Sequence, residues 1–399
     1  MGLLDRFAGS PRRRFAQFAL RVARRTPGVE RAVYQPDDFA IAIHRTGSDG
    51  PAHLYLANVY RETAGATAAE RRERIETLLR LMRPMPEDSW DSVRPKLRPV
   101  LRPVTFGAAG PAGMRPPLSR PAMPFLRELV VIDAPDAMAY ILPDRIEEWG
   151  ISADEVFEVA HANLAAIARD SLEREWRGGA VSMLDDGDGY FTSLLLSPGW
   201  LAEVGERMGS PVIAFAPDNN TLLVTPLPET GIEQIYAVVE HSFGEAIRYL
   251  TPVGYVAGPE GRAVQYFPPP GHPHHTVARR AAAVLALTEY SNQTEWLSAQ
   301  YTKAGVDTHI GALIAVEPPG GGPAVTITTW TAGVSALLPR ADVIAFAHPD
   351  GGVEFRVPWQ IAEERAGLTP EPLLAPPRYR VDGWPAPDTL AELREHGVG

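Results

Sequence analysis

Three histidines lie within four positions of one proline-rich stretch, at His272, His274 and His275. Neutral imidazoles are good ligands for metal ions, so this spacing raises the question of a metal site. His274 and His275 are adjacent, however, and only one of them easily points at an ion that His272 also binds. Pro273 stiffens the segment, and Thr276 can cap a following helix. The pattern favours a hinge between domains, which protonation of the histidines would make sensitive to mild acid. His272 and His274 are the candidate metal ligands.

A second group of candidate ligands is the acidic run Asp185, Asp186 and Asp188. Carboxylate oxygens are the ligands that calcium and magnesium prefer. The twelve-residue spacing of a calcium loop fails, because leucines stand where its terminal glutamate belongs. We interpret the run as a solvated turn between strands. The alternative is a metal-assisted hydrolase of unfamiliar type, in which these carboxylates converge with His161 or His241.

Other catalytic signatures are incomplete. The nearest approach to a serine-hydrolase elbow, at residues 333–337, lacks the second glycine. Neither lysine, Lys96 or Lys303, follows a glycine-rich phosphate loop. Glu158 and His161 form one Glu-x-x-His pair, whereas a di-iron bundle needs two such pairs. The sequence therefore predicts no catalytic residue and no cofactor, and it favours a protein that is not an enzyme while leaving that question open.

The overall composition is that of a globular protein: 399 residues, 45% of them hydrophobic and 22% charged, enough for two or three domains. The absence of cysteine removes disulfides, thiolate nucleophiles and thiolate zinc sites. A net charge of −11 argues against general nucleic-acid binding, because phosphate contacts require a basic face. No apolar run is long enough to span a bilayer, and the arginine-rich start lacks the apolar core of a signal peptide. We expect a cytoplasmic protein without integral membrane association.

Positive charge is concentrated at the N-terminus, where residues 1–31 contain eight arginines and two acidic residues. In the segment 11–26, Phe15, Phe18 and Val22 recur at helical spacing with arginines on the opposite face. A helix of this kind can lie on a membrane surface. Its apolar face is mostly alanine, however, and three strands are predicted to follow. Docking of the helix on that sheet is therefore the favoured interpretation.

The remaining patterns indicate an α+β fold of two or three small domains, with antiparallel sheets flanked by helices. In the Arg-Pro repeats after residue 93, proline density excludes helix and central strand and indicates extended chain. The predicted domains are an N-terminal helix–three-strand–helix unit at 1–88, a Pro/Arg/Gly-rich connector at 89–123, a central α+β domain at 124–267, the hinge at 268–275, and a C-terminal α+β domain with a proline-rich tail at 276–399.

Several individual elements are specific enough to be tested. Ser152 and Glu155 have the spacing of a capping box at the start of a helix. A long helix is predicted from Thr276 to about Lys303, followed by two hairpins. The predicted strands include residues 52–60, Ala180–Leu184 and Tyr190–Leu196. Three tryptophans flank predicted turns and are candidate contacts for a partner, although core packing is the favoured role for each: Trp200, Trp330 and Trp359.

Two stretches in the middle of the chain carry a resemblance. These are VIDAPDAMAYILPDRIEEWGISADEVFEVAHANL and GSPVIAFAPDNNTLLVT, with LYLANVYRE near the start. Over about residues 11–267 the chain resembles the YtpQ-like family of uncharacterised bacterial proteins. It departs from that pattern in an expanded connector at about 94–122 and an added domain at 276–399. The family has no established reaction, so the resemblance implies a fold arrangement and a bacterial cytoplasmic protein, and no catalytic residues.

Together these observations favour a non-catalytic protein-binding or adaptor protein of the bacterial cytoplasm, with an unidentified protein partner. Small α+β units offer sheet faces and hairpin edges to such partners. Two alternatives stay open. One is the metal-assisted hydrolase that uses the Asp185/Asp186/Asp188 loop. The other is an antitoxin-like or chaperone-like partner of a co-encoded protein.

Overall fold

The computed structural model describes residues 11–36, 39–45, 52–81, 89–108, 116–134, 137–174, 176, 182–184, 190–318 and 322–398. The backbone divides into two compact units. The first unit comprises Met1–Arg98, Pro111–Met114 and Val130–Asn163, and the second unit comprises Pro99–Gly110, Arg115–Leu129 and Leu164–Gly399. Helices flank several small sheets, so the predicted α+β class is confirmed. The predicted domain ranges stay a prediction.

The first unit starts with a helix on a small sheet. Helix α1 (Pro11–Arg25) precedes β1 (Val29–Gln35), β2 (Ala40–Arg45) and β3 (Ala52–Tyr55), and these strands pair antiparallel in sequence order. Helices α2 (Leu56–Glu62) and α3 (Ala68–Leu81) follow. Phe15 and Leu20 of α1 are buried in one cluster with Ile41 of the sheet and Ile75 of α3. The predicted docking of α1 on its own sheet is confirmed.

The strand predicted at residues 52–60 is wrong in its second half. It ends at Tyr55, and α2 begins at Leu56. Leu56 and Val59 are both buried, and their spacing of three residues suits one face of a helix. Apolar residues alternate around Leu54 and Leu56, and this alternation hides the change from the two-residue period of a strand to the period of a helix.

The proline-rich stretch contains a short helix and two strands. These are α4 (Trp90–Val93), β4 (Leu97–Pro103) and β5 (Ser119–Met123), followed by β6 (Leu126–Ala134) and β7 (Ala137–Tyr140). Arg94–Lys96 forms a 3-10 helix, so the predicted extended chain is wrong for the first Arg-Pro repeat. From Leu97 the backbone is extended as predicted, but it is paired in a sheet, and β4 is almost wholly buried. Proline is tolerated because β4 and β5 lie at sheet edges, where a missing N–H leaves no ladder bond unmade.

Helices α5 (Pro143–Trp149) and α6 (Ala153–Leu172) follow. The Ser152 hydroxyl accepts a hydrogen bond from the Glu155 backbone N–H at 3.1 Å, so the predicted N-cap is confirmed. The Asn163 amide donates to the backbone carbonyls of Arg94 and Leu97 at 2.8 and 3.0 Å. This side chain fixes α6 against the start of β4 within the first unit.

The second unit contains a five-stranded antiparallel sheet. It is built from β8 (Ser182–Leu184), β9 (Val212–Phe215), β10 (Leu222–Pro226), β11 (Gly254–Ala257) and β12 (Ala263–Gln265), in the order β12-β11-β9-β10-β8. Helices α7 (Trp200–Met208) and α8 (Ile232–Glu245) are part of the same unit. The turn between β9 and β10 is closed by Asp218, whose carboxylate accepts the N–H groups of Asn220 and Thr221.

The strand predicted at Tyr190–Leu196 is wrong, because residues Phe191–Leu196 form a 3-10 helix. Five of its six residues are buried. A short run that is buried on every side carries no periodicity, so sequence alone cannot separate a strand from a helical turn. Ala180 and Val181 of the other predicted strand lie outside the described residues, and β8 covers its remainder.

The chain then forms α9 (His275–Ala304), the long helix that the sequence predicts. It is followed by β13 (His309–Ile310), β14 (Ile314–Val316), β15 (Val325–Thr331), β16 (Ser335–Pro339), β17 (Val343–Ala347), β18 (Val353–Pro358), α10 (Trp359–Ala366), β19 (Arg378–Asp382) and α11 (Pro387–Glu395). Two sheets result, in the orders β13-β16-β19 and β14-β15-β17-β18. The pairs β13–β16 and β15–β17 are parallel, against the expectation of purely antiparallel sheets.

Two features of this region were missed. The tail that the sequence presents as proline-rich contains β19 and α11, because its prolines cluster before β19 and at the first position of α11, where no N–H is needed.

Trp200, Trp330 and Trp359 are all buried, which confirms core packing for each. Within the described residues, no helix combines the length and the apolar character that crossing a bilayer requires.

Candidate functional site: a cleft at the end of the long helix

The histidine stretch is an internally bonded structure. The Nδ1 atom of His272 accepts the backbone N–H of His274 at 3.1 Å. His274 is buried, with its Nδ1 2.9 Å from the hydroxyl of Tyr266 and its Nε2 3.2 Å from the carbonyl oxygen of Glu229. A carbonyl oxygen can only accept, so Nε2 of His274 carries a proton. Both ring nitrogens of His274 are therefore engaged within the protein.

His275 is bonded in the same way, with its Nδ1 2.8 Å from the carbonyl oxygen of Pro268. Alanines of α9 beyond this segment, Ala278 and Ala281, are buried in one cluster with the five-stranded sheet that precedes it. Among the residues that the structure describes, no group of three His, Asp or Glu side chains is arranged to hold a metal ion. The histidines therefore fix the start of α9.

The other predicted site residues are dispersed. Asp185, Asp186 and Asp188 lie outside the described residues. His161 is on α6 in the first unit, and His241 is exposed on α8 in the second. The described residues therefore contain no convergence of these groups.

A cleft of about 680 Å³ opens in the second unit where α9 ends. The last turns of α9 contribute Ser298, Tyr301 and Thr302. Residues 306–310, which include β13, form a second wall, and residues 333–335, which end at the first residue of β16, form a third. Five hydroxyl groups line the cleft: those of Ser298, Tyr301, Thr302, Thr308 and Ser335.

The geometry of the cleft follows from the way α9 stops. Gly305 adopts a left-handed conformation with φ of 66°, and its N–H donates to the carbonyl of Thr302. The N–H of Val306 donates to the carbonyl of Tyr301 at 3.0 Å, which completes a Schellman-type C-cap. The chain then reverses into β13, which pairs parallel with β16 and places His309 opposite Ala336. The amino ends of two parallel strands thus meet the carboxyl end of the helix.

One ion pair and a serine–carboxylate hydrogen bond lie at the rim of the cleft, and Asp307 and His309 are among its lining residues. The hydroxyl of Ser335 donates to Asp382 at 2.7 Å. The Arg380 guanidinium donates to both carboxylate oxygens of Glu371 at 3.0 and 3.1 Å and approaches the Tyr301 hydroxyl at 3.4 Å. The hydrogen bonds with Glu371 raise the pKa of Arg380 above its usual value. These pairs hold the rim without leaving a free charge on Arg380.

A buried arginine supports the walls. Arg378 is fully buried, and its guanidinium donates to five oxygen atoms at distances of 2.6 to 3.2 Å, on Gln293, Gly311, Leu337, Tyr290 and Thr294. Those acceptors belong to α9, to the end of β13 and to β16. No carboxylate among the described residues pairs with it, and burial lowers the pKa of Arg378 to about 10. Arg378 joins the three structural elements that form the cleft.

A second buried charge lies on α9. The carboxylate of Glu289 accepts the N–H and hydroxyl of Thr105 at 3.0 and 2.8 Å and the hydroxyl of Tyr249 at 2.8 Å. Burial raises the pKa of Glu289, and these hydrogen bonds oppose the shift. The middle of α9 is therefore held by the hydrogen bonds of Glu289 with Thr105 and Tyr249 and by those of Arg378 with the helix. The last two turns of α9 face the cleft.

The chemistry of the cleft suits binding. A serine nucleophile requires a base that accepts its proton, usually an imidazole. His309 lines the same cleft, but within the described residues Ser335 donates to the carboxylate of Asp382 and makes no hydrogen bond to His309. The hydroxyl groups can both donate and accept, as can the backbone of β13, which is the end strand of its sheet. Next to this region, Leu374 packs against the apolar cluster of Leu297 and Ile310, while the preceding Leu373 is wholly exposed.

Sequence reasoning missed the cleft. Its residues were read as the end of a helix and the start of a strand, which they also are. The signal that was present is the density of hydroxyl side chains on either side of Gly305. These side chains meet residues 333–335 because β13 pairs parallel with β16, and local sequence patterns do not predict such a pairing.

Comparison with known proteins finds no matching family model, no matching curated protein and no matching solved structure. The resemblance to the YtpQ-like family therefore stays a prediction.

Proposed function

We propose that this is a non-catalytic binding protein that holds an extended segment of a partner protein in the cleft at the end of α9. The observation that carries the proposal is a hydroxyl-lined cleft whose walls are joined by the buried Arg378. A preformed site loses little conformational freedom when a ligand binds, so little binding free energy is lost in ordering its walls.

The size and chemistry of the cleft support this role. A volume of about 680 Å³ falls within the range of ligand sites, and it suits a few side chains of a peptide. The hydroxyl groups and the end strand β13 match the alternating donors and acceptors of an extended backbone. The bonding of Ser335 to Asp382 supports recognition over nucleophilic catalysis.

A blocking substitution tests the proposal. Thr302→Trp places a large side chain in the cleft, and Thr276→Trp makes the same change at an exposed site at the other end of α9. The full chain and both variants are used to capture partners from native lysate with a reversible cross-linker. We expect one partner that the parent and Thr276→Trp retain and that Thr302→Trp loses.

Two results would contradict the proposal. One is a partner that Thr302→Trp retains as well as the parent does, and the other is no partner for any form. An antitoxin-like or chaperone-like role is the alternative that the same experiment separates, because a co-encoded partner would be recovered in equal molar amount.

A further inference from the structure

One side of the first unit carries an unusually dense positive charge. Residues 11–36 contain a single acidic residue, Glu30, and seven exposed arginines: Arg12, Arg13, Arg14, Arg21, Arg24, Arg25 and Arg31. We call this group the arginine face. It lies on a chain whose net charge is −11, so the charge is local. At physiological ionic strength the Debye length is about 8 Å, and a nearby surface responds to this local charge.

Part of the arginine face is not balanced by carboxylates of the described residues. Arg14, Arg21 and Arg25 have no carboxylate partner among the described residues. Arg24 donates to the carbonyl oxygen of Ala32 at 3.3 and 3.2 Å, which satisfies donors but leaves the charge unbalanced. A charge that the protein does not neutralise is available to an external anion.

The opposite side of α1 is already used. Phe15, Ala19, Leu20 and Val22 are buried against the sheet and α3, so α1 cannot turn an apolar face into a bilayer. Whatever the arginine face binds is therefore held mainly by charge. A partner with mobile anionic groups fits best, because the guanidinium groups follow a helix and a strand and present no fixed complementary shape.

A pocket at one end of the arginine face adds a second observation. Its volume is about 350 Å³, with aromatic rings of Phe15, Phe18 and Tyr60 in its walls and the guanidinium groups of Arg14 and Arg71 beside them. Arg71 donates to the backbone carbonyls of Thr63 and Ala64 and to no carboxylate among the described residues. Two cations next to aromatic walls suit a phosphate ester that carries an apolar group.

We propose that the arginine face binds anionic phospholipid headgroups and brings the protein to a membrane surface without crossing it. Arginines near an anionic bilayer each add to the attraction, and stable attachment requires a second, apolar contribution. The apolar contribution that this surface offers is the aromatic wall of the pocket, formed by Phe15, Phe18 and Tyr60. This inference is independent of the cleft and of any protein partner.

Vesicle co-sedimentation tests the inference. The full chain is mixed with vesicles of phosphatidylcholine alone and with vesicles of phosphatidylcholine and phosphatidylglycerol in equal amounts. We expect binding to the anionic vesicles only, with loss of binding at an ionic strength of about 1 M, where the Debye length is about 3 Å. The variant Arg14→Gln/Arg21→Gln/Arg25→Gln should bind the anionic vesicles at least about tenfold more weakly than the parent does.

A matched control removes the same charge elsewhere. Arg169→Gln/Arg262→Gln/Arg356→Gln changes three exposed arginines of the second unit, none of which has an ion pair among the described residues. It should bind as the parent does. Equal loss of vesicle binding in both triple variants would overturn the proposal, because binding would then depend on the net charge of the protein and not on the arginine face. Absence of vesicle binding, or binding to duplex DNA in preference to anionic vesicles, would overturn it as well.

Discussion

Arginine serves opposite purposes in the two units. In the second unit, Arg378 is fully buried and gives its donors to five oxygen atoms, so its charge is dispersed within the fold. In the first unit, Arg14, Arg21 and Arg25 are exposed, and their side chains make no hydrogen bond or ion pair with the other described residues. The difference shows that the surroundings of a guanidinium decide its role: a buried one is structural, and an exposed one is available to a partner.

Removal of the buried arginine should have the largest effect. Arg378→Met leaves the carbonyl oxygen of Gly311 and the Oε1 atom of Gln293 without the donor that Arg378 supplies, and a buried unsatisfied acceptor is costly. We expect the free energy of unfolding in urea to fall by about 3–5 kcal/mol. Arg380→Met is the control, since its partner Glu371 is at the surface, and it should lose about 1 kcal/mol or less. Equal losses would contradict the structural role of Arg378.

The buried carboxylate gives a smaller effect with a defined pH dependence. Burial raises the pKa of Glu289 in the folded state, so folding favours its protonated form. This contribution is present below the pKa of the unfolded chain and is lost as pH rises through the folded pKa. Glu289→Gln should remove that dependence, so that the free energy of unfolding no longer falls as pH rises through the folded pKa.

Glu289→Ala is the companion variant, because it leaves the N–H of Thr105 and the hydroxyl of Tyr249 without an acceptor. It should be less stable than the parent at every pH. Thermal melts between pH 4 and pH 8 measure both variants. A Glu289→Gln protein with the parent's pH dependence would show that another group is responsible.

The histidines at the start of α9 should give a still smaller effect. The Nδ1 atom of His272 accepts the backbone N–H of His274, and His272→Ala removes that acceptor. The melting temperature of His272→Ala should therefore be a few degrees lower than that of the parent, corresponding to about 1 kcal/mol. His272→Asn, which keeps an acceptor, should show a smaller decrease.

The variant His272→Ala/His274→Ala/His275→Ala tests two ideas at once. If its melting temperature and its metal content both equal those of the parent, then the hypothesis of an acid-sensitive segment and the hypothesis of a metal site are both wrong.

The arginine face should give the smallest effect on stability. Arg14→Gln/Arg21→Gln/Arg25→Gln removes no hydrogen bond and no ion pair within the described residues. The free energy of unfolding should stay within about 0.5 kcal/mol of the parent value. A larger loss would mean that these arginines support the fold, and the contrast with Arg378 would weaken.

Local patterns predicted much of the fold. The period of α1, the capping box at Ser152 and the length of α9 are local features, and each was read correctly. Errors arose where a residue is surrounded by protein on all sides, as at Phe191–Leu196, or where edge position decides whether proline is tolerated, as in β4.

The candidate site was less accessible to prediction. His272 and His274 drew attention by residue type, yet their ring nitrogens bond to nearby backbone and side-chain groups that the sequence does not identify. The cleft depends on β13 pairing with β16 across 26 residues of chain and on Arg378 reaching α9. Such long-range pairings lie beyond periodicity and capping rules.

The distribution of bonds along α9 has a consequence for amide hydrogen exchange. Its middle residues are held by side-chain bonds, including those from Tyr290 to the carbonyl of Pro377 and from Gln293 to the carbonyl of Pro376. Exchange there requires a large opening, whereas Ser298 to Thr302 can exchange by fraying of the last turns. A steep gradient of protection along one helix would mark the point at which α9 passes from its bonded middle to the wall of the cleft.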